Sequence, residues 1–147
     1  MPASLDWETW LATAEERDYN VGYMNGEWRS WFDLGNGVLG DWGAHIFDTA
    51  HEFLQLGMPT EVAAVKLDGH SPLIFPQAST LAFRFPARGS QPPVKMSWYD
   101  GGLMPPRHEL LPPDVPLSRE GGVLYFGEWG LLMHETYGSN PQIFPES

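Results

Sequence analysis

Cysteine is absent from this sequence of 147 residues, and basic side chains are scarce. Without cysteine the chain can form neither disulfide bonds nor thiolate zinc sites, and the redox compartment is left undetermined. Eight Lys and Arg residues stand against 19 Asp and Glu residues, which gives a formal net charge of -11. A charge of this sign repels nucleic-acid backbones and anionic membrane surfaces, so we expect no nucleic-acid partner.

Long apolar runs are also missing. No stretch approaches the roughly 20 apolar residues that a membrane span requires, so we expect no membrane partner. The N-terminal residues carry neither a basic segment nor an apolar run, and they therefore encode no secretory signal. A cytoplasmic location is the default expectation unless a signal lies upstream of Met1, and we expect this chain to be part of a longer protein.

Aromatic residues are abundant, at 14% of a chain that is 42% hydrophobic. Such a composition suffices for one packed domain, which we place at residues 1–147. Near the N-terminus the pattern predicts a short helix from Asp6 to Leu11, with Ser4 as its cap. The following residues, up to Asp33, read as an aromatic-rich loop that packs on one side of the domain.

The pattern after Gly37 predicts the one long helix of the chain, which ends before Gly57 and Pro59. Its apolar side is expected to carry Leu39, Trp42, Ile46, Ala50, Phe53 and Leu54. Beyond the helix the hydrophobic period changes to two, which is typical of strands. The predicted strands are Glu61 to Leu67, Ser79 to Phe85, Val94 to Tyr99, Val123 to Phe126 and Leu131 to Glu135.

Strands without intervening helices imply antiparallel pairing. The predicted fold class is therefore α+β, with an open-faced, predominantly antiparallel β-sheet, one main helix and the aromatic-rich loop on one side. The segment Gly127 to Gly130 is the clearest hairpin connection. The segment Gly101 to Gly122, with five prolines, reads as an irregular excursion.

A polar stripe runs along the predicted helix, because Asp41, His45, Asp48 and Glu52 recur at i, i+4, i+7 and i+11. Such a stripe faces either bulk water or a cleft, and in a cleft the imidazole suits proton transfer near neutral pH. A surface histidine explains His45 equally simply when the residues are taken alone. A metal site of Asp41, His45 and Asp48 lacks a fourth ligand, so we expect no metal.

The residues Gly35 to Gly40 match the pattern G-x-G-x-x-G, which is a dinucleotide-binding fingerprint when it connects a buried strand to a helix. The preceding residues lack the Val/Ile run of a central parallel strand, and everything downstream is expected to be antiparallel. The carboxylate of Asp41 would also repel a diphosphate. We therefore interpret the segment as a turn that starts a helix close to other backbone, and expect no cofactor bound by this chain alone.

The pattern G-x-G-x-x-x-D-x-G-x-H-x-x-D from Gly35 to Asp48 resembles the second domain of the Gfo/Idh/MocA oxidoreductases. The resemblance extends over nearly the whole chain. The chain looks like the same domain in the branch of the family often found in Bacteroidetes and Planctomycetes. The other segments that carry it are Leu5-Asp6-Trp7, Trp28-Arg29-Ser30-Trp31, Trp98-Tyr99-Asp100-Gly101-Gly102 and Gly121 to Gly127.

The resemblance implies the C-terminal half of an oxidoreductase whose first domain is a Rossmann fold carrying NAD or NADP. It matches the family's catalytic Asp and His to Asp41 and His45, and it implies a sugar or polyol as substrate. The family's Glu-Lys-Pro element belongs to the first domain, and this chain contains neither that element nor a Rossmann half. We therefore predict that the chain is inactive alone and needs its Rossmann domain in cis or in trans.

Further residues are candidates for substrate binding, and each has an ordinary structural alternative. Arg29 suits an anionic or hydroxylated ligand, although an arginine between two tryptophans is as often a stacked structural cation. Asp48 is a candidate because it lies on the polar stripe of the helix, although a carboxylate there also suits a surface exposed to water. Tyr99, Asp100 and Arg107 follow or border a predicted strand end and are placed at the edge of a substrate cleft.

Two alternative functions stay open at this point. The chain could be a non-catalytic oligomerisation or binding module, in which a homo-oligomer forms through the open face of the sheet. It could also be half of an NAD-dependent enzyme that cleaves or epimerises sugars through a transient redox step, as some members of the superfamily do.

Overall fold

The computed structural model describes residues 1–145. Its first helix, α1 (Trp7–Leu11), begins after Asp6, whose carboxylate accepts a hydrogen bond from the Thr9 amide at 3.1 Å. The prediction of Ser4 as the cap is wrong, because Asp6 occupies the position from which a side chain reaches the amide three residues on. The aromatic side chains of α1 and of the residues after it pack on one another: Trp7 stacks on Trp10 at 4.8 Å between ring centroids and also contacts Tyr19 and Tyr23.

The main helix, α2 (Gly37–Phe53), lies where the sequence predicts it. Its buried face is rotated relative to the prediction. Trp42 and Phe53 are exposed, whereas Phe47 packs edge-on against Phe83 at 5.5 Å and Trp98 at 5.2 Å. The polar stripe consequently faces away from this contact. Within residues 1–145, none of the helices combines the length and apolar content needed to cross a membrane.

The strands confirm the predicted antiparallel α+β fold. Each predicted strand is present to within one residue at either end. A further strand of three residues, β6, was not predicted, because Gln-Ile-Phe is too short to establish a period. The strands are β1 (Glu61–Asp68), β2 (Ala78–Phe85), β3 (Val94–Tyr99), β4 (Gly122–Phe126), β5 (Leu131–Glu135) and β6 (Gln142–Phe144).

The strands divide between two sheets, with the orders β1-β2-β3 and β4-β5-β6, rather than forming one. All pairs are antiparallel and follow the chain order. The predicted hairpin between β4 and β5 is closed by the Gly127 amide, which donates to the Gly130 carbonyl at 2.9 Å. The proline-rich segment between β3 and β4 contains no strand, as expected, and it separates the two sheets along the chain.

Each sheet has its own apolar core. The first core lies between α2 and the sheet β1-β2-β3, and its buried members are Leu56, Phe83, Phe85 and Trp98. The second core lies between the sheet β4-β5-β6 and the proline-rich segment, and its buried members are Leu111, Leu131 and Phe144. Helix α2 contacts both sheets and carries the candidate residues Asp41, His45 and Asp48 on its accessible side.

Candidate functional site

The polar stripe of α2 lies on the surface of the protein. His45 and Asp48 are exposed and Asp41 is half-buried, so their side chains are accessible to a ligand. The helix is fixed in this orientation because Ile46 and Phe47, on its opposite side, pack into the first core. Apolar packing on one side thus presents the carboxylates and the imidazole on the other.

Arg29 and Asp41, both predicted site residues, lie in contact with each other. The Nε atom of Arg29 lies 2.8 Å from Oδ2 of Asp41, and the guanidinium stacks over the Trp28 ring at 4.6 Å. The Nε–H bond does not point at the carboxylate, so this buried nitrogen has no hydrogen-bond partner within residues 1–145. The contact is therefore an ion pair without an aligned hydrogen bond. The Nε–H group of Arg29 can still donate to a ligand.

A cleft of about 330 Å³ opens beside this ion pair. Arg29, Asp41, Trp28 and Phe32 line it, together with the backbone before α2. It offers a cation, a carboxylate and aromatic surface within one small concavity, a combination that suits a hydroxylated ligand of a few carbon atoms.

His45 lies one turn after Asp41 on α2, and its ring has aromatic neighbours on two sides. Trp42 approaches edge-on at 5.9 Å and Tyr137 approaches edge-on at 5.4 Å, measured between ring centroids. Both neighbours are themselves accessible, at 42% and 66% exposure. The imidazole is thus confined laterally and open outward, as a residue that exchanges a proton with a ligand must be.

A partly buried polar cluster of Thr49, Tyr125 and His134 joins α2 to the second sheet. The Tyr125 hydroxyl lies 3.1 Å from Oγ1 of Thr49 and 3.0 Å from Nε2 of His134, and Thr49 lies 3.1 Å from the same nitrogen. His134 is only 4% exposed. Its Nδ1 donates to the Glu135 carbonyl at 2.6 Å, which leaves Nε2 as the ring nitrogen that faces the cluster.

Burial raises the pKa of the Tyr125 phenol, while the hydrogen bond with Thr49 acts weakly in the opposite direction. The phenol therefore stays protonated at neutral pH and can donate to the cluster. These three residues share no pattern in the sequence, because they are far apart along the chain. The one available signal was a histidine at an inward position of the otherwise apolar β5.

Tyr99 and Asp100 lie at the end of β3, away from the Arg29 and Asp41 pair. Both line a larger cleft of about 1290 Å³ between α2, β3 and β4. The Asp100 carboxylate accepts hydrogen bonds from the Ser79 amide at 2.5 Å, the Ser79 hydroxyl at 2.8 Å and Nε1 of Trp98 at 2.6 Å. These bonds tie the end of β3 to β2, which gives Asp100 a structural task.

Arg107 lies in the proline-rich segment and lines neither cleft. Its Nη2 atom donates to backbone carbonyls of the same segment, those of Pro112 and of Val115, the latter at 2.9 Å. The guanidinium therefore holds a loop that lacks regular backbone pairing. Of the predicted site residues, the structure groups Arg29, Asp41, His45 and Asp48 on or beside α2, and leaves Tyr99, Asp100 and Arg107 elsewhere.

The glycines of the segment 35–40 are explained by close packing. A Cβ atom on Gly35 would lie 2.6 Å from the Arg29 backbone, and one on Gly37, whose φ is +66°, would lie 2.7 Å from the Phe75 ring. A Cβ atom on Gly40 would lie still closer to the side chain of Asn36. The residues before the segment form a 3-10 turn (Glu27–Ser30), an isolated bridge at Trp31 and a further turn, instead of a strand. The segment therefore lacks the strand–loop–helix context of a dinucleotide site.

Metal binding receives no support from the geometry. In the part of the chain that the structure describes, no three His, Asp or Glu side chains lie close enough together to hold a metal ion. Asp41, His45 and Asp48 thus share a helix face without converging on one point.

The N-terminal part of the chain is similar to a known class of enzyme domain. Residues 1–73 match a family model described as the oxidoreductase family, C-terminal alpha/beta domain. This match supports a C-terminal domain of the Gfo/Idh/MocA oxidoreductases, and it includes Arg29, Asp41, His45 and Asp48. Tyr99, Asp100, Arg107 and the whole second sheet lie outside the matched residues. The chain matches none of the curated proteins.

Proposed function

We propose that this chain is the substrate-binding and catalytic half of an NAD- or NADP-dependent oxidoreductase that acts on a sugar or polyol. The observation that carries the proposal is the accessible His45 on α2, one turn after the Arg29–Asp41 ion pair and inside the segment that matches the oxidoreductase family. The exposed imidazole supports a role in proton transfer, and the neighbouring cleft supports binding of a small hydroxylated molecule.

The proposed chemistry divides between two domains. Oxidation of a carbinol carbon requires a hydride acceptor, which a nicotinamide supplies, and the glycine segment of this chain does not fit that cofactor because no strand leads into it. In the proposed reaction Nε2 or Nδ1 of His45 accepts the proton of the substrate hydroxyl. Arg29 donates to neighbouring hydroxyl oxygens, while Asp41 accepts from substrate hydroxyls or fixes the guanidinium.

The same proton transfer would serve a sugar-cleaving or epimerising enzyme half. In that case oxidation at one carbon is reversed after the bond change at another, so His45 first accepts and later returns a proton. The two outcomes share one site, and product analysis distinguishes them.

The proposal is tested by joining this chain to a nicotinamide-binding domain, or by mixing the two, and assaying a panel of sugars and polyols with NAD and NADP. We expect nicotinamide reduction only when both parts are present. The matched control is a fluorescence titration of the 147-residue chain alone with NADH and NADPH. Micromolar binding by the isolated chain would contradict the two-domain interpretation, and no reduction with any panel member would contradict the substrate class.

A second candidate function is assembly through the first sheet. Every residue of β1 is exposed, and its apolar side chains Val62, Val65 and Leu67 contribute to this surface. An exposed outer strand with apolar side chains is a common site of association between copies of a chain. We infer from this strand that a homo-oligomer forms by way of β1.

The association is tested by size-exclusion chromatography with light scattering on the wild-type chain and on Val65→Lys. We expect a dimer or larger oligomer that the lysine weakens, because a charged side chain on an exposed strand opposes strand pairing. A wild-type chain that is strictly monomeric at high concentration would contradict the inference. Val21→Lys is the matched control, since Val21 is also an exposed valine but lies outside the sheets.

A further inference from the structure

The two aromatic neighbours of His45 differ in what they can do. Trp42 belongs to the same helix, three residues earlier, so it moves with His45 and cannot fix the helix against the rest of the molecule. Tyr137 follows β5 in the second sheet, and its ring reaches the imidazole from a separate element at 5.4 Å. Tyr137 therefore connects the orientation of the imidazole to the second sheet.

The backbone of Tyr137 is in the left-handed region, with φ 63° and ψ 19°. This conformation is unfavourable for a bulky residue, and such strain is found where the surroundings impose a particular geometry. Burial does not explain it, because two thirds of the tyrosine surface is exposed. The Tyr137 ring contacts the His45 ring, so the strained turn places the phenol ring against the imidazole.

The same two segments are joined a second time by the polar cluster described above. Thr49 lies one turn after His45 on α2, and His134 lies three residues before Tyr137. The hydrogen bond between Thr49 and His134 thus sets the distance between the elements that carry the two rings. Gly138 adds to this fit, because a Cβ atom there would lie 3.2 Å from Cγ2 of Thr49.

We infer that Tyr137 is a positioning residue that holds the His45 imidazole in one orientation on the surface of α2. The ring blocks one side of the imidazole, while the Thr49–Tyr125–His134 cluster keeps α2 and the end of β5 at the required distance. The structural content of this inference is independent of any reaction, and its kinetic consequence rests on the proposed function. A general base must keep its nitrogen directed at the substrate hydroxyl, so a mobile imidazole costs rate.

The structural part is tested by NMR of the wild-type 147-residue chain, Tyr137→Phe and Tyr137→Leu. We expect a nuclear Overhauser contact between the rings of His45 and Tyr137, and ring-current shifts of the His45 ring protons. The phenylalanine variant should retain these shifts and the leucine variant should lose most of them. Thr49→Val, which removes the hydroxyl of the cluster, should reduce them in part.

Absence of the contact in the wild-type chain would overturn the inference without any variant. Unchanged His45 shifts in Tyr137→Leu would do the same. Amide spectra of β1 to β3 serve as the folding control, because these strands are remote from Tyr137 in the chain and form the other sheet. Should the leucine variant fail to fold, the wild-type contact and the phenylalanine variant still decide the outcome.

The kinetic part uses the enzyme that combines this chain with its nicotinamide-binding domain. We expect Tyr137→Leu to lower kcat by between about tenfold and a hundredfold with little change in KM, and Tyr137→Phe to restore it. A rise in KM for both variants would instead indicate that the hydroxyl contacts substrate, and would overturn a purely positioning role. If His45→Ala leaves turnover intact, the proposed function fails while the NMR result for the ring contact stands.

Discussion

Replacement of His45 by alanine should lower kcat of the proposed oxidoreductase by about 10²- to 10⁴-fold, which is the contribution of a positioned general base. The imidazole is an accessible titratable group on α2 whose ring contacts are with Trp42 and Tyr137, both of them exposed. Its removal should therefore affect the reaction far more than the stability. Steady-state kinetics with a sugar or polyol identified from the panel provide the measurement.

Two controls make the result specific. His51→Ala changes another exposed histidine of α2, whose Nε2 lies 2.9 Å from the Gly57 carbonyl at the end of the helix, and it should retain turnover. The affinity of His45→Ala for NADH should equal that of the wild type, because the cofactor is held by the other domain. Wild-type turnover in His45→Ala would contradict the assignment of the base.

The local elements of the fold could be predicted because each has a clear signal of its own. Helix α2 has apolar residues that recur with the helical period. In strands β1 to β5 the apolar residues recur with a period of two, and turn residues bound each strand. The division into two sheets could not be predicted, since it depends on whether β3 pairs with β4 across a long proline-rich connection. Strand periodicity is the same whether or not two strands pair, so it contains no information on that point.

The same contrast between local patterns and long-range contacts applies to the candidate site. Asp41 and His45 could be placed on one accessible helix face because their spacing is visible in the sequence, and Arg29 could be proposed as a candidate because it stands among tryptophans. The residues that complete the surroundings of His45 lie in or after the second sheet, more than 70 residues later in the chain. Tyr125 and His134, which bond to Thr49, follow it by 76 and 85 residues. No local pattern specifies such contacts, and Tyr137 in particular is set by a turn whose conformation the sequence does not reveal.

Replacement of Asp100 by alanine should lower the free energy of unfolding by about 2–4 kcal/mol, because it leaves three hydrogen-bond donors without their acceptor. Two of these donors belong to the buried Ser79, and the third is the indole of Trp98, a member of the first core. Hydrogen bonds to a carboxylate are stronger than those between neutral groups, so the loss is larger than for an ordinary polar contact. Urea unfolding followed by circular dichroism measures it as a lower midpoint with an unchanged slope.

Asp114→Ala is the matched control, since Asp114 is an exposed aspartate in the proline-rich segment and its replacement should change the unfolding free energy by less than about 0.5 kcal/mol. The loss of unfolding free energy in Asp100→Asn should lie between those of Asp100→Ala and Asp114→Ala. An amide retains one acceptor oxygen but can offer only its nitrogen where the second carboxylate oxygen was. The sequence interpretation of Asp100 as a substrate ligand predicts the opposite result, a raised KM at wild-type stability. That outcome would mean that the bonds to Ser79 and Trp98 contribute little, and that the carboxylate serves the larger cleft between α2 and β3 instead of holding the end of the strand.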